Sequence, residues 1–117
     1  MVKTEESLRK FFYIDKVEFL RSTMEFALRA KGAQVYTVAT LENNFYLLDD
    51  LAPDLVIFDV STVAHHLDEL CHLWPKNKLV ALGEESERQI IEKRVKIFLP
   101  KPLVASQLAT RLLSLID

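Results

Sequence analysis

The sequence is poor in cysteine, in glycine and in long apolar runs, and each scarcity excludes a class of protein. A single cysteine, Cys71, cannot form an internal disulfide, which is typical of proteins of a reducing cytoplasm. Two glycines in 117 residues exclude a glycine-rich phosphate-binding loop. No apolar run approaches the roughly 20 residues that span a bilayer. The N-terminus lacks a basic segment followed by an apolar one, so we expect no export signal.

An excess of basic charge is also missing. Fifteen lysines and arginines against 17 aspartates and glutamates give a net charge of −2, so we expect neither nucleic acid nor an anionic membrane as a partner. A chain of 117 residues, half of them hydrophobic, has room for one proper core and is expected to form one domain.

One short stretch organises the chain, Pro53-Asp54-Leu55-Val56-Ile57-Phe58-Asp59. Four consecutive large apolar residues between two aspartates are typical of a central parallel strand that is buried on both faces. The carboxylate of Asp59 then falls just outside the carboxyl edge of the sheet, where open α/β folds build their sites.

Four further apolar runs alternate with helical segments along the chain. The predicted strands are Phe11–Ile14, Val35–Ala39, Leu55–Phe58, Leu79–Leu82 and Val95–Leu99. The predicted helices are Val17–Lys31, Leu41–Leu51 capped by Thr40, Thr62–Leu73, Glu87–Lys93 capped by Ser86, and Val104–Ile116. This alternation predicts an α/β fold, a doubly wound parallel sheet with helices on both faces. Residues 1–10 are left as an N-terminal tail ahead of a domain over 11–117.

Charged residues follow three of the predicted strands. Asp15 follows the first strand, Asp59 the third, and Lys101 lies just past the fifth. With a strand order of 2-1-3-4-5, the first and third strands adjoin at the topological switch point, which predicts that the two aspartates face each other there. The alternative for each residue alone is a solvated cap at a strand end.

This pattern resembles the receiver domain of bacterial response regulators, a flavodoxin-like fold, over about residues 11–117. The resemblance implies that Asp59 accepts a phosphoryl group from a histidine kinase and that Asp15 is one of two acidic ligands of Mg²⁺. It implies that Lys101, of the Lys-Pro pair, contacts the phosphoryl group. Phe98 matches an aromatic position on the fifth strand.

The sequence departs from the family at the pocket. Lys16 stands where the second acidic ligand is expected, and Gly83, followed by Glu84, stands where a Ser or Thr would bind a phosphoryl oxygen. We therefore expect Lys16 to act as a counter-ion to Asp59, Mg²⁺ to lose a ligand, and phosphorylation to be impaired or absent. No cofactor is expected, and no enzymatic activity beyond residual self-phosphorylation.

Two apolar surfaces suggest a partner. Phe19 and Phe26 lie seven residues apart on the first helix, away from its core stripe; the alternative is that the tail covers them through Leu8. The last helix carries Arg111 as its only charge between Leu103 and Ile116. In the resembling family, the face of helix four, strand five and helix five is the usual dimer or partner surface.

The sequence thus predicts an atypical receiver-like domain of bacterial two-component signalling, located in the cytoplasm and acting by protein contact. Its partner would be a second copy, an attached output domain or another signalling protein. One alternative is a working phosphoacceptor at Asp59, and another is a small-ligand module of the same fold. A zinc site is disfavoured because its candidate ligands are scattered around one helix, namely His65, His66, Cys71 and His72.

Overall fold

The structure is a computed structural model and describes residues 8–116. Its centre is a parallel sheet with the strand order β2-β1-β3-β4-β5. The strands are β1 (Lys10–Ile14), β2 (Gln34–Val38), β3 (Leu55–Asp59), β4 (Leu79–Gly83) and β5 (Ile97–Pro100). This arrangement confirms the predicted doubly wound fold and its strand order.

The middle strands are central because they are apolar throughout, except for Asp59 at the end of β3. Every residue of β3 is buried, as is every residue of β4. β3 pairs with β1 on one side, Phe58 opposite Ile14, and with β4 on the other, Asp59 opposite Leu82. This register brings the carboxyl ends of β1, β3 and β4 to one edge of the sheet.

Helices cover both faces of the sheet and form two cores. The helices are α1 (Glu18–Arg29), α2 (Phe45–Leu51), α3 (Val60–Val63), α4 (Leu67–Leu73), α5 (Arg88–Ile91) and α6 (Ala105–Ser114). On one face α1 and α6 pack on a core that includes Phe11, Leu55 and Leu82. On the other face the core includes Phe12, Phe58 and Leu70. Between residues 8 and 116 no helix is long and apolar enough to cross a membrane.

The second predicted helix is shorter than its apolar spacing indicates. α2 begins at Phe45 rather than at Leu41. Thr40 does not cap it, since the Thr40 hydroxyl accepts the backbone N–H of Glu42 in a turn. Asn43 then has a positive φ of 64°, a conformation that no α-helix contains.

Several other element boundaries also differ from the prediction, most of them by one or two residues. The predicted helix Thr62–Leu73 begins at Val60 and is divided by a 3-10 turn over residues 64–66. The fourth predicted helix is a single α-turn, α5, between 3-10 turns at residues 85–87 and 92–94. The cap of the first turn is Glu84 rather than the predicted Ser86. β5 begins at Ile97, two residues later than predicted. The predicted tail overlaps the sheet at Lys10, which pairs with Gln34, while residues 1–7 lie outside the described part.

Candidate functional site

The two predicted aspartates and the predicted lysine meet at the carboxyl edge of the sheet. Asp59 ends β3, Asp15 directly follows β1 and Lys101 directly follows β5. The Lys101 Nζ lies 2.6 Å from Asp59 Oδ1 and 3.9 Å from Asp15 Oδ2. Both carboxylates are buried, and the Lys101 side chain is three-quarters buried. The edge therefore holds two buried negative charges and one shared ammonium.

Asp59 accepts hydrogen bonds from neighbours on both of its oxygens. Lys101 Nζ donates to Oδ1, while Oδ2 accepts from Ser61 Oγ at 2.7 Å and from Thr62 Oγ1 at 2.6 Å. The backbone N–H of Thr62 donates the third bond to Oδ2, at 3.1 Å, and so the fourth to Asp59. Burial by itself raises the pKa of Asp59, but the bonds from Lys101 and the two hydroxyls outweigh it, so the pKa lies below that of a free aspartate.

Ser61 and Thr62 are site residues that sequence reasoning did not single out. Asp59 is the N-cap of α3, and its side chain accepts the N–H of the third residue of that helix. The same turn brings both hydroxyls against the carboxylate. The signal was an aspartate at a strand end followed at the second and third positions by hydroxyl residues, a helix-capping pattern rather than a motif of phosphoryl chemistry.

Asp15 is completely buried, and its carboxylate accepts hydrogen bonds that stabilise the turn between β1 and α1. Its Oδ2 accepts from the Tyr13 hydroxyl at 2.9 Å, and its Oδ1 accepts from the Val17 N–H at 2.9 Å. Its carbonyl oxygen accepts from Arg21 at 2.7 Å. Burial, followed by the charge and hydrogen bond of Asp15, raises the pKa of Tyr13 far above its usual range, so this phenol stays protonated.

Lys16 is not the counter-ion of Asp59, contrary to the prediction. Its side chain is exposed, and within residues 8–116 it forms no ion pair with Asp59. Its backbone N–H donates to Thr62 Oγ1 at 3.1 Å, which places Lys16 at the rim. The physical reason is alternation along the chain. Asp15 points into the protein, Lys16 points out, and Lys101 reaches Asp59 from β5.

Gly83, Glu84 and Phe98 lie on the β4–β5 side of the site. Gly83 is buried, and its carbonyl accepts the backbone N–H of Lys101 at 2.8 Å. Glu84 is exposed at the rim. Phe98 is buried in the core, and the Arg88 guanidinium lies 5.0 Å from the centre of its ring. The Arg88 side chain also forms ion pairs with Glu85 and Glu92. The Phe98 ring is therefore covered by a guanidinium that two carboxylates hold in place.

The donor set at this edge does not fit a magnesium site. Mg²⁺ takes six oxygen ligands in near-octahedral geometry. Here both oxygens of Asp15 and of Asp59 already accept hydrogen bonds, and an ammonium lies between the two carboxylates. Within residues 8–116 no group of three His, Cys, Asp or Glu side chains could hold a metal ion. That finding covers the histidines around α4, where Asp68 pairs with Arg94.

The predicted surface aromatics are open to solvent. The exposed fraction is 72% for Phe19 and 78% for Phe26. The last helix is apolar for an internal reason, since α6 packs on α1 and buries Leu108 and Leu112, while Arg111 is exposed.

A groove of about 470 Å³ lies between α1 and α6, and Lys101 is one of the residues that line it. Buried apolar side chains line its inner part, among them Met24, Leu82 and Leu108. Phe19 of α1 also lines it, on the side away from β5 where Lys101 follows the sheet. The structure thus gives the ion pair an apolar neighbour that no sequence motif indicated.

Comparisons with known proteins give the fold. No protein-family model and no curated protein matches the sequence. Among solved structures, the BeF3-activated receiver domain of Klebsiella pneumoniae RstA superposes with a TM-score of 0.79 at 14% identity, covering 93% of this chain and 99% of that one. The orphan response regulator HP1043 of H. pylori gives 0.77 at 17% identity, covering 93% and 97%. The chemotaxis response regulator CheY4 of Vibrio cholerae gives 0.72 at 18% identity, covering 93% and 99%. This chain therefore has the fold of response-regulator receiver domains.

Proposed function

We propose that this chain is a receiver-like domain of bacterial two-component signalling, working in the cytoplasm through protein contacts, with Asp59 held in a permanent ion pair instead of being phosphorylated. The observation that carries the proposal is the set of four hydrogen bonds on Asp59, from Lys101, Ser61 and Thr62. The receiver fold of the solved structures supports the signalling class.

The chemistry of phosphoryl transfer explains why these bonds matter. A carboxylate that attacks phosphorus needs a free oxygen and a cation that neutralises charge on the incoming group. Asp59 has both oxygens engaged, and Lys101, the nearest cation, is also close to the buried Asp15. Lys16 replaces the carboxylate that the resemblance assigns to the metal. A phosphodonor would have to break these bonds without the help of Mg²⁺, so transfer is slow or absent.

The exposed apolar side chains favour a protein partner. Phe19 and Phe26 present two aromatic rings on one flank of α1, where a soluble helix usually carries polar residues. On the other face of the sheet, Ile90 of α5 is 71% exposed, and α5 contacts β5. We assign the partner surface to one of these two regions; a second copy or an attached output domain would suit either.

Incubation with acetyl phosphate and Mg²⁺, followed by intact-protein mass spectrometry, tests the proposal. We expect no added phosphoryl mass on the native chain, and no beryllofluoride-dependent change in its amide spectrum. Lys16→Asp, which restores a carboxylate at the rim, should gain measurable Mg²⁺ binding. Asp59→Asn is the control for labelling elsewhere. Stoichiometric modification that Asp59→Asn abolishes would overturn the proposal in favour of a working phosphoacceptor.

A second candidate function is the binding of a small apolar ligand in the groove between α1 and α6. The groove falls within the usual size range of ligand pockets, and it adjoins Lys101. Native mass spectrometry of the purified protein tests this reading, since a carried ligand would add a defined mass. Ala105→Trp, on the groove wall, should abolish that added mass, and its persistence would place the ligand elsewhere.

A further inference from the structure

A side chain at Gly83 would meet the end of the Glu87 side chain, whereas the Gly83 backbone needs no glycine-specific conformation. Its φ lies outside the left-handed region, unlike that of Gly32. A Cβ at position 83 would lie 2.6 Å from Glu87 Oε1 and 3.3 Å from Val60 Cγ2. The first distance is shorter than real Cβ contacts. The volume where a side chain would begin is therefore occupied by the Glu87 carboxylate.

Glu87 is held in this position by its own turn. Its Oε1 accepts the backbone N–H of Glu84 at 2.8 Å, and its backbone N–H donates to the Glu84 carbonyl at 2.9 Å. A glutamate that reaches back to the N–H at the start of its turn forms half of a capping box. The Glu84 amide, which directly follows β4, is thus already bound by an internal anion.

The Gly83 corner contacts the backbone of Lys101 and the side chain of Val60, the residue next to Asp59. The Gly83 carbonyl holds the backbone of Lys101, and Val60, the second neighbour of the missing Cβ, directly follows Asp59. Any side chain at position 83 would therefore push on Glu87 on one side and on the start of α3 on the other.

From this geometry we infer that Glu87 is a positioning residue that closes the β4 side of the Asp59 site. Its carboxylate fills the space in which a side chain at position 83 would begin. It also accepts the Glu84 N–H, so that this amide is not available to another acceptor. This inference deepens the proposed function, because it adds a second internal contact that keeps the site closed. It also implies that a residue with a Cβ at position 83 requires the Glu87 carboxylate to move from its bond with the Glu84 amide.

The competing reading is that Glu87 only caps a surface turn. Capping alone predicts that the effects of changes at positions 83 and 87 simply add. Occupation of the Gly83 corner predicts that they do not, because the cost of a Cβ at position 83 arises from displacing Glu87.

A double-mutant cycle on the unmodified protein separates these readings. Gly83→Ala should lower the urea midpoint of the native chain but cost less in a Glu87→Ala background, where the carboxylate is gone. In the Glu87→Ala background, the factor by which Gly83→Ala raises the unfolding constant should be roughly five-fold smaller than in the native background. A factor of roughly five corresponds to the net contribution of one modest hydrogen bond. Glu85→Ala is the matched control, since Glu85 pairs with Arg88 and does not contact Gly83. Equal costs in the Glu87→Ala and native backgrounds would overturn the inference.

The amide spectrum gives a second measurement that needs no change at Gly83. Glu87→Ala should move the Glu84 amide resonance and speed its exchange with solvent, and it should also shift the amides of Lys101 and Thr62. Glu87→Gln, which keeps an oxygen acceptor, should retain most of the native pattern. A Glu84 amide that is unchanged in Glu87→Ala contradicts the inference, as do unshifted Lys101 and Thr62 amides. Neither experiment uses a phosphodonor, so labelling of Asp59 would refute the proposed function while leaving this result intact.

Discussion

The carboxyl edge of the sheet buries charged side chains, whereas the flank of α1 exposes aromatic ones. At the sheet edge, Asp15, Asp59 and Lys101 are charged residues whose polar atoms bond to other parts of the same chain. On α1, Phe19 and Phe26 are large apolar residues that nothing in residues 8–116 covers. The charged groups of the sheet edge are bonded within the chain, whereas the aromatic rings of α1 are exposed to solvent.

This difference shows which unusual side chains the receiver fold of this chain satisfies internally and which it leaves to solvent. Buried charges are costly to leave unpaired, so a buried carboxylate needs partners within the chain. Lys101, Ser61 and Thr62 supply them for Asp59. Exposed aromatics on a helix have no such compensation within the chain, and a binding partner is the usual reason for them.

The largest expected effect is on the closed region, from Lys101→Met. Removing the ammonium leaves Asp59 buried with no cationic partner, and we expect a loss of about 2 kcal/mol in the free energy of unfolding, discounted for the partly exposed lysine. Urea denaturation measures it, with the exposed Lys96→Met as control. A loss no greater than that of Lys96→Met would mean that the ion pair contributes nothing to stability.

Acidification should weaken the same region. The pKa of Asp59 is lower in the folded chain than in the unfolded chain, so its contribution to stability is fully present above the unfolded pKa of about 4. That contribution is lost as the pH falls through the lower, folded pKa. Denaturation midpoints measured between pH 6 and pH 3 should therefore fall more steeply for the native chain than for Asp59→Asn. Parallel profiles would show that Asp59 is not the group responsible.

Thr62→Val should have a smaller effect, because it removes only one of four bonds to Asp59. The hydroxyl that donates at 2.6 Å is lost while the Thr62 N–H stays. We expect a loss of about 1 kcal/mol in the free energy of unfolding. Thr110→Val, on the exposed side of α6, is the matched control and should change stability less. Equal losses from the two variants would argue against a special role for the Thr62 hydroxyl.

The smallest effect on stability is expected on the open region. Phe19→Ser and Phe26→Ser replace exposed rings, so the free energy of unfolding should change by no more than about 0.5 kcal/mol. Sedimentation of the same variants should show weaker association wherever the native chain assembles. Phe11→Ser, at a buried ring, is the contrasting control. If the α1 variants unfold as Phe11→Ser does, the two aromatics belong to the core.

Some features of the site follow from local sequence and others do not. Asp15, Asp59 and Lys101 could be placed at one sheet edge because parallel strands end together. Lys16 was assigned to Asp59 wrongly, since its position next to Asp15 says nothing about which way its side chain points. Thr40 and Ser86 looked like helix caps, but the chain turns at Asn43 and at Glu84 instead.

The sequence by itself determined the doubly wound sheet and the position of Asp59 at its carboxyl edge. The signals were the order of the apolar runs, the prolines and the polar residues at the strand ends. These are short-range signals, because burial of a strand on both faces requires an uninterrupted apolar run. Only the tertiary structure decided that Lys101 neutralises Asp59, that Ser61 and Thr62 hold it, and that Glu87 lies against Gly83. The reason is distance along the chain and side-chain direction: Lys101 is 42 residues from Asp59, and packing alone determines which long side chain reaches a buried charge.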